Sequence, residues 1–139
     1  MLDLTKLRDA ITALDNSVQY IARLQDNPDY DYIAFETSRA GVIHNFETAY
    51  ELCWKIMKRW LDKNFNVESE TSKSKKQLFR IAGEYALIDN FALWVTFNEK
   101  RNLTAHTYNE NTAEEVYIIA LKFLPEAKKF LSILETRND

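Results

Sequence analysis

Glycine and proline are scarce in this sequence. Each occurs twice in 139 residues, and because these two residues most often interrupt helices, their scarcity predicts long helices and few turns. Cysteine occurs once, as Cys53, so no disulfide can form within the chain. The sequence therefore excludes a small fold that depends on disulfide bonds.

Long apolar runs are also absent. No stretch approaches the roughly 18 consecutive apolar residues of a membrane span, and no basic leader precedes an apolar segment. We therefore expect a cytoplasmic protein without a membrane partner, from a cell without organelle targeting, such as a bacterium. The net charge of −3 argues against nucleic-acid binding by the whole surface. We expect no DNA partner, and an RNA contact would need a local basic patch.

Apolar residues recur at three- and four-residue steps through most of the chain, which predicts helices. The first runs over about residues 4–24, and the second starts between Phe35 and Arg39 and ends near residue 63. A loop is expected over residues 64–70. Capping patterns then predict the starts of three more helices. These starts are Ser74 for a short helix to residue 85, Asp89 or Asn90 for the fourth helix, and Thr112 for a fifth to about residue 135.

Four or five helices with short connections predict an all-α fold. We expect an up-and-down four-helix bundle with an additional short helix, in a single domain over residues 1–139. A chain of this length can bury one sizeable core.

Residues 101–108 concentrate polar chemistry near the end of the predicted fourth helix. If the helix continues through them, Asn102 and His106 share one face at i,i+4, and Arg101 and Tyr108 share a neighbouring face at i,i+7. Imidazole moves protons at neutral pH, and a guanidinium matches phosphate oxygens. The set suits phosphodiester cleavage without a metal or cofactor. The structural alternative is a helix C-terminus whose Arg and His face the last carbonyls.

These residues also carry a resemblance to a known family. Arg101, His106 and Tyr108 resemble the Arg-x4-His-x-Tyr signature of HEPN-domain proteins, in which an Asn such as Asn102 commonly follows the Arg. Residues 46–55 resemble the second-helix motif of a narrower branch, the nucleotidyltransferase substrate-binding proteins. The resemblance covers nearly the whole chain in motif order and helix order. It implies a helical bundle that pairs as a two-fold homodimer, with two copies of the motif facing one cleft.

The resemblance implies two alternative functions. In the first, the chain is the toxin of a toxin–antitoxin pair, a metal-independent endoribonuclease in which Arg101 and His106 carry catalysis and Asn102 and Tyr108 support it. Its antitoxin is a minimal nucleotidyltransferase from a neighbouring gene, which in some such pairs silences the toxin by attaching AMP at the position of Tyr108. In the second, the chain is a non-catalytic subunit that presents substrate to that nucleotidyltransferase. A purely structural bundle is the third alternative.

Six further residues are candidates for RNA or ligand contacts. The densest basic run of the chain would guide an RNA backbone if it lay beside the motif, although such a run is usually a solvated helix face. Two aromatic residues of the second helix, with Trp94 of the fourth helix near them, would hold a ligand in the substrate-binding alternative. These candidates are Lys73, Lys75, Lys76, Arg80, Tyr50 and Trp54.

Glu47 and Glu51 form a carboxylate pair at i,i+4 on the predicted second helix. Paired carboxylates can bind magnesium. Because Glu51 also lies four residues before Lys55, an ordinary helical ion pair is the favoured interpretation. His44 has no second His or Cys at ligand spacing. We therefore predict no metal site.

Overall fold

The computed structural model describes residues 1–138, and all regular structure within them is helical. The elements are α1 (Thr5–Gln25), α2 (Tyr32–Phe65), α3 (Glu68–Thr71), α4 (Lys75–Glu84), α5 (Phe91–Arg101), a 3-10 helix (Thr104–His106) and α6 (Glu110–Arg137). The predicted all-α class is confirmed. No helix in this part of the chain combines the length and apolar content needed to cross a membrane.

Three long helices form the body of the bundle. α1 packs along α2, and α6 packs against both. α4 and α5 pack on each other, and α5 also contacts α2 and α6. The predicted bundle is therefore present with one more short helix than expected, because α3 occupies part of the stretch that was predicted as a loop.

Aromatic rings fill the core where α2, α5 and α6 meet. Phe123 of α6 is fully buried, and the centroid of its ring lies 5.2 Å from those of Phe46 and Phe97. Trp94 and Tyr50 lie slightly farther from it, at 5.8 and 6.3 Å. All four pairs meet edge-on, the arrangement that aromatic quadrupoles favour. This cluster fixes the relative positions of the three helices that border the polar motif.

Capping side chains set where the helices begin. Ser74 and Asn90 accept backbone N–H groups in the first turns of α4 and α5, so both predicted caps are confirmed. α2 begins earlier than predicted because Asp31 caps it. α6 is capped by Asn109, which accepts the N–H of Asn111 and of Thr112, so the predicted cap at Thr112 is three residues too late.

α5 ends at Arg101, and residues 102–109 do not continue the helix. The Thr104 hydroxyl donates to the Arg101 carbonyl at 2.8 Å, and the Thr107 hydroxyl donates to the Thr104 carbonyl at 3.3 Å. Such bonds from side chain to backbone compete with the helical pattern. The predicted arrangement of four polar side chains on two helical faces, at i,i+4 and i,i+7, is therefore wrong.

Candidate functional site

The connection between α5 and α6, residues 102–109, carries Asn102, His106 and Tyr108 and follows directly on Arg101. We call this connection the site loop. Charged side chains at both of its ends pair with residues of α2. The geometry of the candidate site is therefore set by one helix.

The first ion pair orients Arg101. Its Nε donates to Glu51 Oε1 at 2.9 Å, and its Nη2 lies 3.4 Å from Glu47 Oε1. Its Nη1 donates to the Thr104 hydroxyl at 3.2 Å. The Arg101 side chain is 28% exposed, so the guanidinium is held by α2 and remains accessible to a ligand. A planar, oriented guanidinium with accessible N–H groups suits a phosphate.

Glu51 does not form the ion pair that its sequence spacing predicted. Its Oε1 accepts from Arg101, and its Oε2 accepts the indole N–H of Trp54 at 2.9 Å. The expected pair with Lys55 is wrong; the Lys55 ammonium lies 5.7 Å from the centroid of the Trp54 ring. The carboxylate spacing was visible in the sequence, but a partner 50 residues away was not. Within residues 1–138, no group of three or more His, Cys, Asp or Glu residues could hold a metal ion.

The second ion pair fixes the far end of the site loop. Arg39 of α2 donates to both carboxylate oxygens of Glu110, at 2.8 and 2.7 Å, and to Glu114 at 3.2 Å. The Arg39 side chain is only 5% exposed. These hydrogen bonds lower the pKa of Glu110 to about 2 and raise that of Arg39. Glu110 opens α6 two residues after Tyr108, so the loop is fixed at both ends.

Arg39 organises the site, although it belongs to none of the motifs that the sequence singles out. The available signal was a charged residue on the buried face of α2, between Phe35 and Val42. An arginine at such a position requires acidic partners, because a buried charge is costly without them. The sequence did not indicate which acids they were.

His106 and Tyr108 lie on the solvent-facing part of the site loop. Both are exposed, Tyr108 by 88%, and their rings meet edge-on with centroids 6.3 Å apart. Asn102 is exposed at the end of α5. The loop therefore brings His106 and Tyr108 into contact with each other, while Arg101 is turned toward α2. The hydroxyl of Thr104, two residues before His106, connects the guanidinium to the loop.

A basic groove begins at Trp54 and extends along α2 toward residue 68, away from the site loop. Trp54, bonded to Glu51, lines two adjoining hollows of about 530 and 270 Å³. Lys75 lines the smaller hollow, and its ammonium lies 4.1 Å from the centroid of the Trp54 ring. Lys58 borders both hollows. Trp54 and Lys75 are thus connected to the candidate site through the Glu51 carboxylate.

The rest of the predicted basic run faces elsewhere. Lys73 pairs with Glu70 at 3.0 Å, and Arg80 lies 5.5 Å from the centroid of the Phe91 ring. Lys76 is exposed, and like Lys73 and Arg80 it lines neither hollow. A helix distributes neighbouring lysines over different faces, so the run does not act as one patch.

Tyr50 does not line the groove. Its ring is fully buried, its hydroxyl donates to Asn98 Oδ1 at 2.8 Å, and burial raises the pKa of the phenol. The prediction of a ligand contact at Tyr50 is therefore wrong, and so is that at Trp94, which is buried in the aromatic cluster. Residue type alone did not distinguish a core aromatic from one that lines a cleft.

This protein is a helical bundle in which the longest helix, α2, binds Arg101, and the loop after Arg101 exposes a histidine and a tyrosine. The chain belongs to the family described as nucleotidyltransferase substrate binding protein like, which it matches over residues 2–136. The resemblance found in the sequence is thus confirmed. One relative is the probable ribonuclease HepT of Haemophilus influenzae. It is 33% identical over an alignment 141 residues long, which covers 99% of this chain and 94% of the relative.

Solved structures agree with this assignment. The protein HI0074 of Haemophilus influenzae, described as having the fold of a substrate binding domain of a nucleotidyltransferase, superposes with a TM-score of 0.87. It is 32% identical, and the match covers 96% of this chain and 99% of that one. A Thermus thermophilus protein shares the fold, with a TM-score of 0.65 at 24% identity, over 87% of this chain and 98% of its own.

Proposed function

We propose that this protein is a HEPN-type endoribonuclease that cleaves RNA without a metal ion, with Arg101 and His106 as its catalytic residues. The observation that carries the proposal is the Arg101 guanidinium, oriented by Glu47 and Glu51 at the start of a loop that exposes His106. The relative described as a probable ribonuclease, at 33% identity over almost the whole chain, supports it.

In the proposed reaction, His106 accepts the proton of a ribose 2′-OH. The 2′-oxygen then forms a bond to the adjacent phosphorus, and the bond from that phosphorus to the 5′-oxygen of the next nucleotide breaks. Negative charge builds on the non-bridging oxygens, where the N–H groups of Arg101 stabilise it. Because the guanidinium supplies this positive charge, the step needs no metal ion.

The leaving 5′-oxygen takes a proton from water or from a second imidazolium. We propose a two-fold homodimer in which two site loops face one cleft, so that His106 of the second copy supplies that proton. Sedimentation of the purified protein should give the mass of two chains. A monomer that cleaves RNA at the full rate would contradict the dimer but not the nuclease.

Cleavage of labelled single-stranded RNA in the presence of a chelator tests the proposal. Wild type should cut the RNA, whereas Arg101→Ala and His106→Ala should each lose about 100-fold or more in rate. The matched control is His44→Ala, because His44 is the other histidine and is exposed on α2. DNA of the same sequence should stay intact, since it has no 2′-OH. Equal cleavage by wild type and His106→Ala would refute the proposal.

We further propose that the protein is the toxin of a toxin–antitoxin pair in the cytoplasm. Its partner is a minimal nucleotidyltransferase from a neighbouring gene, which silences it by adding AMP to Tyr108. The phenol oxygen attacks the α-phosphorus of ATP, loses its proton to a base, and pyrophosphate leaves. The 88% exposure of Tyr108 lets an enzyme reach the hydroxyl without unfolding the loop. The added bulk and negative charge would then exclude RNA.

Mass spectrometry after incubation with the partner and ATP tests this modification. Wild type should gain the mass of one or more AMP groups on Tyr108, and Tyr108→Phe should gain none. Tyr20→Phe is the control, because Tyr20 is also exposed but lies on α1. Unmodified Tyr108 in the presence of a nucleotidyltransferase with demonstrated activity would rule out this step.

A non-catalytic, substrate-presenting subunit is the second candidate. Two observations favour it: the description of HI0074 as a substrate binding domain, and the groove beside Trp54. In that case the purified chain should leave RNA intact and be harmless when expressed alone. It should also increase the activity of the partner nucleotidyltransferase toward a bound substrate, which an independent nuclease would not do.

A further inference from the structure

Trp54 is held rigidly beside the candidate site. Its indole N–H donates to Glu51, and the Lys75 ammonium lies over its ring at 4.1 Å. The other two tryptophans, Trp60 and Trp94, are buried in the core. Trp54 is only partly buried, and it lines the two hollows described above. A fixed, accessible indole is suited to stacking against a flat ring.

The two hollows are basic in a chain whose net charge is −3. Two acidic side chains, Asp62 and Glu68, line them, and Asp62 is paired with Lys58 at 2.7 Å. Five cationic side chains also line the hollows: Lys55, Lys58, Arg59, Lys63 and Lys75. The larger hollow, about 530 Å³, is in the size range of small-molecule sites. An aromatic wall with surrounding cations favours a ligand that combines a planar ring with negative charge.

The groove and Arg101 share one carboxylate. The two oxygens of Glu51 accept from Arg101 Nε and from Trp54 Nε1, both at 2.9 Å. A ligand ring on the indole therefore lies close to the guanidinium. A nucleotide can place its base on Trp54 and a phosphate at Arg101, and a polynucleotide strand can in addition continue along the cations of the larger hollow.

We propose that the groove is a stacking subsite for single-stranded RNA, in which Trp54 receives a base and Lys55 and Arg59 contact the backbone. The base lies in the larger hollow, which Lys75 does not line. The strand must be single, because a base in a duplex has both faces covered by its neighbours. Stacking also tolerates any base, so the subsite binds RNA without strong sequence preference. The inference rests on the proposed nuclease function and names a second part of its substrate site.

Binding in the His106→Ala background tests the subsite, because the RNA then stays uncut. The probe is a single-stranded RNA of about 12 nucleotides. Tryptophan fluorescence should be quenched as RNA is added, since the other two tryptophans are buried. Trp54→Leu should abolish the quenching and weaken binding, measured by anisotropy, by about fivefold or more. Trp54→Phe, which keeps a flat ring, should bind better than Trp54→Leu.

The controls separate the groove from the general surface. Tyr20→Leu removes an exposed aromatic of α1 and should leave the affinity unchanged. The double variant Lys55→Gln, Arg59→Gln should reduce the slope of log affinity against log salt by about 1.4, the value for two phosphate contacts on a single strand. Lys122→Gln, an exposed lysine of α6, should not change that slope. Far-UV circular dichroism checks that each variant is folded.

Each outcome decides one question. Suppose that folded Trp54→Leu binds RNA with wild-type affinity and, when His106 is intact, also cleaves RNA at the wild-type rate. That result would overturn the subsite and leave the nuclease in place. Quenching that Trp54→Leu abolishes, in a protein that never cuts RNA, would support the subsite and refute the nuclease. ATP is the third probe. If ATP binds as tightly as the RNA, the groove takes free nucleotides and the assignment to an RNA strand is wrong.

Discussion

The substitution Glu51→Gln tests whether α2 sets the direction of the Arg101 guanidinium. Both carboxylate oxygens of Glu51 accept hydrogen bonds, one from Arg101 Nε and one from Trp54 Nε1. Glutamine has a single carbonyl oxygen, and its NH₂ group cannot accept from the second donor. One of the two N–H groups must therefore lose its acceptor. Arg101 keeps its contacts to Glu47 and Thr104, so the guanidinium is loosened rather than released.

Two opposing effects follow for RNA cleavage. A phosphate beside Arg101 lies about 7 Å from the Glu51 carboxylate, where repulsion in a water-like dielectric is about 0.6 kcal/mol. Removing that charge should tighten RNA binding about threefold. Loss of one fully oriented donor to a developing oxyanion costs about 100- to 1,000-fold in rate. Since Arg101 keeps two other partners, we expect kcat to fall by about 10- to 100-fold.

Single-turnover and steady-state cleavage of a short RNA measure the two effects separately. The expected result is a lower kcat together with a slightly lower KM, the pattern of a lost interaction in the transition state and a relieved repulsion in the ground state. Glu84→Gln is the matched control, because it removes the same charge from an exposed acid at the end of α4. An unchanged kcat in folded Glu51→Gln would refute the argument that this carboxylate orients Arg101.

Three further predictions concern stability. Arg39 lowers the pKa of Glu110 to about 2 from an ordinary 4.5, so this pair stabilises the fold fully above pH 4.5 and less as the pH falls toward 2. Glu110→Gln should therefore lose less stability than wild type over that interval. Acid unfolding followed by circular dichroism measures the difference. Phe123→Ala should cost about 3–5 kcal/mol in urea unfolding, because it empties the centre of the aromatic cluster. Ala86 has φ 60°, so Ala86→Gly should raise stability by about 1 kcal/mol.

Matched variants check these three results. Glu99→Gln removes the charge of an exposed acid, and this variant should unfold in acid over the same pH interval as the wild type. Leu121→Ala removes a partly exposed side chain of the same helix as Phe123 and should cost clearly less than Phe123→Ala. Ala92→Gly, within α5, should destabilise the protein by about 1 kcal/mol, the opposite sign to Ala86→Gly. If both Ala→Gly changes destabilise, the strain argument at Ala86 is wrong.

The helices could be predicted from the sequence because their signals are local. Apolar spacing and capping residues lie within a few positions of the feature they set, as at Ser74 and Asn90. The end of α5 was missed because it depends on which hydrogen bonds the hydroxyls of Thr104 and Thr107 make. Threonine is compatible with either a helix or a turn, so its presence alone did not decide between them.

The composition of the candidate site was predictable, but its contacts were not. Arg101, His106 and Tyr108 stand out by residue type; Arg101 ends α5, and the other two lie on the loop that follows it. The choice of Glu51 between Lys55 and Arg101 needed the folded structure, because the local partner at i,i+4 and the distant one are chemically equivalent. The same holds for Arg39, whose acidic partners come from α6, about 70 residues later in the chain.

Fixation of both loop ends on a single helix limits how this region can vary. Arg39 and Glu51 lie on the same helix, α2, and their separation of 12 positions corresponds to about 18 Å along its axis. The distance between these two residues cannot change unless α2 itself is interrupted. An insertion or deletion between residues 102 and 109 would therefore move the side chains of His106 and Tyr108 relative to Arg101. The helices on either side of the loop would keep their positions. The length of the loop can therefore change the geometry of the candidate site without changing the stability of the bundle.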